Sequence, residues 1–259
     1  MYRGFNLILQ KENLQVESNS FSESISQQKE IIEDKIGSFI GENGSLDGSK
    51  MQTNWFPQIK VDIFLSHSHK DEKLAIALAG WLKETFGLTT FIDSCVWGFS
   101  NKLLKEIDGK YCRCQESKAY DYQKRNYSTS HVHMMLSVAL AQMIDNTECL
   151  FFLNTPNSIT PADTIIEKTE SPWIYSEIAM SRLVRKKSLD EHRETTQSES
   201  SRNSLKEGNL KIQYDLPTDH LVNIEKNIIE KWVESCSIGR LRKANALDEL
   251  YRLTKQQNG

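Results

Sequence analysis

The chain lacks the features that mark membrane-spanning, secreted or nucleic-acid-binding proteins. No apolar run approaches the roughly 20 residues that a membrane-spanning helix needs. The start of the chain has no apolar core of the kind found in secretory signal peptides. The five cysteines are odd in number and unevenly spread, which argues against a disulfide framework. We therefore expect a cytoplasmic, reduced protein with no membrane partner.

The charge and the cysteine and histidine spacings exclude two further classes. The formal net charge is −3, whereas nucleic-acid binding usually requires a basic face, so no nucleic-acid partner is expected. Cys112-Arg-Cys114 and His131-Val-His133 differ in spacing from the C-x₂₋₄-C and H-x₃₋₅-H pattern of zinc fingers. We therefore predict no bound metal. The 259 residues, of which 38% are hydrophobic, can bury a sizeable core.

Short apolar runs alternate with amphipathic segments. Residues 61–65 carry a single charge and are typical of a buried parallel strand. Leucines recur at i, i+4 spacing within residues 71–86, which predicts a helix that ends at Gly87. Residues 88–92 then predict a second strand. A strand, a helix and a strand within about 35 residues indicate a βαβ unit and hence a parallel sheet.

The same alternation continues to the end of the chain. A third strand is predicted at residues 149–153 and a fourth at residues 210–216. We therefore predict an α/β fold, a flavodoxin-like open parallel sheet with helices on both faces. The other predicted helices cover residues 28–40, 101–107, 131–144, 171–187, 221–232 and 241–253.

Three polar segments depart from this pattern. Residues 1–57 are predicted to be an N-terminal extension, with mild strand character only in residues 1–10. Residues 58–259 are predicted to form the domain itself. An insertion is expected at about residues 109–147, and a polar linker at about residues 188–208.

The best-defined helix start lies at Ser171. Ser171 is a good N-cap and Pro172 a good first helical residue. Trp173 and Glu177 are four residues apart, so a helix places the indole and the carboxylate on one face. Taken alone, Glu177 could be an ordinary exposed glutamate, and Trp173 could simply belong to the core.

Polar side chains follow the predicted strands. In open parallel sheets, ligands bind at the carboxyl ends of the strands. Ser66 to His69 follow the first strand, residues 93–97 the second and residues 154–159 the third. His67 and His69 alternate, so one can face the site while the other lies at the surface. Asp71 is expected to cap the next helix.

Several of these segments together resemble the Toll/interleukin-1 receptor (TIR) domain. The resemblance covers residues 59–187 well and extends to about residue 254. The motifs that match, in the order of that family, are Asp62-Ile-Phe-Leu-Ser-His-Ser-His-Lys-Asp71, Thr90-Phe-Ile-Asp93, Cys95 to Ser100 in place of the BB loop, and Ser171-Pro-Trp173 with Glu177. Among TIR proteins, the chain is most similar to stand-alone bacterial members of antiphage defence, of the Thoeris kind.

The resemblance implies NAD cleavage with NAD as substrate and no cofactor. Glu177 would be the catalytic carboxylate. The substrate-binding residues would be Phe64, Ser66, His67, Ser68, Asp93, Trp97 and Trp173. Nicotinamide leaves a pyridinium as a neutral group, so one carboxylate can suffice where ordinary glycoside hydrolysis usually takes two. That carboxylate would stabilise developing oxocarbenium charge, and the indole would exclude water.

The resemblance also implies partners. The expected product is an ADP-ribose-derived signal that a separate effector protein reads. Self-association through TIR contacts is expected to complete the site, and a phage-derived trigger to switch it on. Two other functions stay open, namely a non-catalytic TIR scaffold and a nucleotide receptor that binds without turnover.

Overall fold

The computed structural model describes residues 1–8, 39–40, 46–97, 100–114, 119–159, 168–169, 171–193, 214–215 and 218–255. The strands in these residues are β1 (Arg3–Ile8), β2 (Ile63–Ser66), β3 (Thr90–Phe91), β4 (Cys149–Asn154), β5 (Lys168–Thr169), β6 (Tyr214–Asp215) and β7 (Val222–Ile224). The helices are α1 (Gly48–Trp55), α2 (Glu72–Phe86), α3 (Asp93–Val96), α4 (Ser100–Tyr111), α5 (Tyr122–Asn146), α6 (Pro172–Leu183), α7 (Leu189–Arg193), α8 (Lys226–Gly239) and α9 (Ala244–Lys255).

Five strands form one parallel sheet in the order β3-β2-β4-β1-β7. Alternate side chains of β2 enter two separate cores, because successive residues of a strand point to opposite faces. Phe64 packs in a core that includes residues of α1, α4, α5 and α6. Leu65 packs in a second core with residues of α2, α8 and α9. The predicted α/β fold with an open parallel sheet and helices on both faces is therefore confirmed.

An inner position of this sheet belongs to the first strand of the chain. Phe5 in β1 pairs with Phe151 of β4 on one side and with Val222 of β7 on the other. Four successive β1 residues are buried, as is typical of a parallel strand covered on both faces. Arg3–Ile8 thus lies inside the sheet, although the sequence assigned it to an extension. Residues 9–38, which include most of the predicted helix at 28–40, lie outside the described residues.

The fourth predicted strand is placed differently from the expectation. Flavodoxin-like sheets have the strand order 2-1-3-4-5. Here β3, β2 and β4 keep the first three places, and β1 takes the fourth. Tyr214–Asp215, the described part of the predicted strand at 210–216, pairs antiparallel with Lys168–Thr169 in a separate two-stranded sheet. The prediction that it joins the parallel sheet is wrong for these two residues.

The predicted insertion contains the end of α4 and the whole of α5, and these two helices form a pair. The helix expected from His131 begins at Tyr122, where Asp121 caps it by accepting a hydrogen bond from the backbone N–H of Lys124 at 3.0 Å. The polar first turns of α5 hide this start, since they lack an apolar stripe. Inside the pair, the buried Asp108 carboxylate accepts hydrogen bonds from Ser128 Oγ at 2.5 Å and Arg125 Nε at 2.8 Å.

Two further findings concern the polar segments and the helix lengths. Within the predicted linker at 188–208, Leu189–Arg193 forms α7, and residues 194–208 lie outside the described part of the chain. None of the described helices is both long and apolar enough to cross a membrane.

Candidate functional site

The candidate site lies where the order of the strands reverses. β2 is flanked by β3, the next strand along the chain, and by β4 on its other side. Such a switch point leaves a crevice at the carboxyl ends of the strands, because the connections leave in opposite directions. The segments that follow β2 and β3 meet α6 at this edge.

Helix α6 is anchored at its start and along one face. Ser171 Oγ accepts a hydrogen bond from the backbone N–H of Ile174 at 3.3 Å, and Pro172 is the first helical residue, as predicted. Ile174 and Ile178 are fully buried in the core below the sheet. Glu177 lies beside them and is only 1% exposed. It is therefore not an ordinary exposed glutamate, because the apolar face of α6 carries it into the protein.

Glu177 has a hydroxyl partner and a neighbouring carboxylate. Its Oε2 accepts a hydrogen bond from Ser66 Oγ at 2.6 Å, which joins α6 to the end of β2. Burial raises the pKa of Glu177 well above its usual range, and the charge of Asp93 raises it further. The hydrogen bond from Ser66 lowers this pKa by a smaller amount. The site therefore holds a carboxyl group for which ionisation is costly.

His67 links the end of β2 to the segment after β3. Its Nδ1 lies 3.3 Å from the carbonyl oxygen of Leu65 and 3.6 Å from Asp93 Oδ1. Its Nε2 lies 3.1 Å from Ser94 Oγ. His67 is buried while His69 is exposed, as the alternation along the strand predicted. Ser94 was not among the predicted site residues, since only its place beside Asp93 in the sequence could have indicated it.

Asp71 forms hydrogen bonds to the segment after β4 at this edge of the sheet. Its two carboxylate oxygens accept hydrogen bonds from Thr155 Oγ1 at 2.5 Å and from Asn157 Nδ2 at 2.7 Å. Asp71 stands at the N-cap position of α2, as expected, but its side chain makes no capping hydrogen bond there. Ser68 instead caps the short turn between β2 and α2, where its Oγ accepts from the backbone N–H of Lys70 at 3.4 Å.

Three predicted site residues lie in or against the core. The Phe64 ring is fully buried, with its centroid 5.4 Å from that of Phe91. Trp97 is 3% exposed, and its ring centroid lies 4.7 Å from that of Phe91. Trp173 is half-buried, with its ring 5.6 Å from that of His133 on α5. In this conformation Phe64 and Trp97 offer a ligand almost no exposed surface. The structure thus brings together Ser66, His67, Asp93 and Glu177.

A second concave region lies at the opposite edge of the sheet. It is a cavity of about 230 Å³ at the amino ends of β2, β3 and β4. Its lining includes Lys60, Lys83, Lys243, Asp62 and Glu148. Among the residues that the structure describes, no group of three or more histidine, cysteine, aspartate or glutamate side chains could hold a metal ion.

Comparison with family models, with curated proteins and with solved structures finds no match to this chain. The fold and the grouping of Ser66, His67, Asp93 and Glu177 therefore rest on the geometry described above.

Proposed function

We propose that the chain is a TIR enzyme that cleaves the nicotinamide N-glycosidic bond of NAD. The observation that carries this proposal is the buried Glu177 carboxyl group, hydrogen-bonded to Ser66 where the strand order reverses. Buried titratable groups with perturbed pKa values concentrate at functional sites. The motif resemblance supplies the reaction class, and the geometry supplies a carboxylate in a fitting environment.

The surroundings of Glu177 suit a substrate that carries positive charge. A carboxylate buried without a cation is unstable, and Asp93 adds to the repulsion. The nicotinamide ring of NAD is a cation, and the ribosyl group that it leaves becomes one in the transition state. A cationic substrate therefore supplies the charge that the site lacks and favours ionised Glu177. The carboxylate then stabilises the developing oxocarbenium charge.

The biological setting of this proposal comes from the resemblance. The product would be an ADP-ribose-derived signal for a separate effector in antiphage defence. The protein would act in the cytoplasm, and self-association, with a phage-derived trigger, would complete the site.

The proposal is tested by incubating the purified chain with NAD and following nicotinamide and ADP-ribose products by chromatography. The assay is run over a hundredfold range of protein concentration, because an assembly-dependent site gains specific activity as the chain associates. Glu177→Gln serves as the matched control, since it retains the shape and removes the charge. A chain that self-associates yet releases no nicotinamide at any concentration is a scaffold, and the proposal is then wrong.

A further inference from the structure

The Ser94 hydroxyl and the Asp93 carboxylate lie on opposite sides of the His67 imidazole, near Glu177. His67 Nε2 is 3.1 Å from Ser94 Oγ, and His67 Nδ1 is 3.6 Å from Asp93 Oδ1. The imidazole is held by the rigid end of β2, while Ser94 and Asp93 begin α3. The proposed cleavage reaction has no use for this arrangement, since its leaving group needs no proton.

The acceptors around His67 decide where its ring proton lies. Nδ1 faces the carbonyl oxygen of Leu65 at 3.3 Å and the carboxylate of Asp93, and both groups can only accept hydrogen bonds. The ring proton is therefore on Nδ1. The bare Nε2 then accepts from the hydroxyl of Ser94. A serine hydroxyl that donates to an imidazole has a base within reach, as an activated nucleophile requires, and the Asp93 carboxylate 3.6 Å from the other ring nitrogen favours the protonated ring that forms.

Exposure and position let Ser94 meet an electrophile. His67 is 6% exposed, whereas Ser94 is half-buried and keeps part of its surface open to solvent. Asp93, its neighbour in sequence, is close enough to Glu177 for the two carboxyl groups to repel each other. Ser66, which hydrogen-bonds to Glu177, directly precedes His67, which contacts Ser94, so the hydroxyl and the proposed catalytic carboxylate lie at the same edge of the sheet.

We propose that Ser94 accepts an ADP-ribosyl group from NAD, with His67 as its base. This inference rests on the proposed function, since the electrophile is the ribosyl carbon that nicotinamide leaves. The bond between that carbon and the pyridinium nitrogen breaks, and nicotinamide departs neutral with the bonding pair. A bond from Ser94 Oγ to the carbon forms. The hydroxyl proton passes to His67 Nε2 and then to solvent.

The test is peptide mass spectrometry of the whole chain after incubation with NAD. We expect one ADP-ribosyl group on Ser94, none in Ser94→Ala, and at least about a hundredfold slower labelling in His67→Gln, as for removal of a general base. Ser49→Ala, at an exposed serine on α1, is the matched control and keeps full labelling of Ser94. Thermal unfolding of each variant shows whether it is folded before its labelling is compared.

A fluorophosphonate probe tests the activated hydroxyl without NAD. Ser94 Oγ attacks phosphorus, fluoride leaves, and the proton passes to His67, so labelling of Ser94 is expected to fall in His67→Gln. If Ser94 is labelled equally in the wild type and in His67→Gln, the pairing of Ser94 with His67 is overturned. Nicotinamide release without ADP-ribose on Ser94 overturns the acceptor role and leaves the proposed function intact. Absence of nicotinamide release overturns the proposed function, and with it the role of NAD as the donor of the ADP-ribosyl group.

Discussion

Two buried glutamates lie at opposite ends of the sheet, and their partners differ. Glu148, just before β4 at the amino edge, accepts hydrogen bonds from Arg193 Nη2 at 3.3 Å and from the Tyr251 hydroxyl at 3.0 Å. Glu177 at the carboxyl edge accepts one from Ser66. No arginine or lysine in the described part of the chain forms an ion pair with Glu177.

The difference separates a structural carboxyl group from a candidate catalytic one. Burial raises the pKa of Glu148, but the charge of Arg193 acts against it. Burial raises the pKa of Glu177 too, and there the neighbouring charge, Asp93, acts in the same direction. A buried charge without a partner destabilises the fold, so its presence needs a reason outside stability.

The largest contrast is expected in catalysis. Glu177→Gln should slow NAD cleavage by about 10²–10³-fold, because a preorganised electrostatic contact contributes this much to rate. Glu148→Gln removes a carboxyl group of the same kind from the far edge and should leave the rate close to that of the wild type. Nicotinamide release by both variants measures the contrast. Equal rates for the two variants would contradict the assignment of Glu177.

The pH dependence of the free energy of unfolding should reveal the raised pKa of Glu177. The raised pKa of Glu177 in the folded state means that the folded protein holds a proton more tightly than the unfolded chain. Stability is therefore lost as pH rises above the ordinary value of 4.5 towards the folded-state pKa, by up to about 1.4 kcal/mol per pH unit.

Glu177→Gln removes this loss and keeps the contribution of Glu148. The variant should become more stable relative to the wild type as pH rises through this window, in urea unfolding curves measured at several pH values. If the difference in unfolding free energy between the two proteins does not change with pH, Glu177 does not carry a raised pKa.

A smaller effect is expected from removing Arg193, the cation that pairs with Glu148. Arg193→Met leaves Glu148 with Tyr251 alone, and a hydrogen bond to a charged group contributes about 1.5–3 kcal/mol. Arg193 is 35% exposed, so solvent screening reduces the expected loss to about 1 kcal/mol. Arg182→Met is the control, because its pair with Asp219 is exposed on both sides. Urea unfolding should show a loss for Arg193→Met alone.

A smaller effect on NAD cleavage than that of Glu177→Gln is expected at Ser66. Ser66→Ala removes the hydrogen bond to Glu177 and should cost about 1–3 kcal/mol in unfolding free energy, because a buried acceptor then loses a partner. Since that bond lowers the pKa of Glu177, its loss should raise this pKa further. NAD cleavage should fall by less than in Glu177→Gln. A Ser66→Ala rate as low as that of Glu177→Gln would mean that the hydroxyl itself takes part in the reaction.

Local sequence patterns predicted what depends on local structure. Ser171 and Pro172 define the start of α6, and the apolar runs before Ser66 and Asn154 define β2 and β4, because capping and burial are visible within a few residues. The same patterns put Ser66 at the carboxyl edge of the sheet and brought the helix of Glu177 to that edge. The hydrogen bond between the two side chains shows that they meet there.

What the sequence missed depends on contacts between distant residues. Trp97 is predicted to bind substrate, but it packs between Phe56 and Phe91. Asp71 looks like a helix cap, but it binds residues that follow β4. Phe56, Thr155 and Asn157 lie far along the chain from the residues that they contact, so no local pattern contains the information.

The inner position of β1 has a consequence for how the protein is made. The ribosome synthesises this strand before the other four strands of the sheet, yet its two neighbours are β4 and β7, which emerge much later. Until then its backbone N–H and C=O groups have no sheet partner, and an unpaired strand edge is prone to pair with other chains. Sheet pairings between distant residues also form slowly. Completion of the sheet must therefore wait until Val222–Ile224 has left the ribosome, and during that interval an edge of β1 stays open to pairing with other chains.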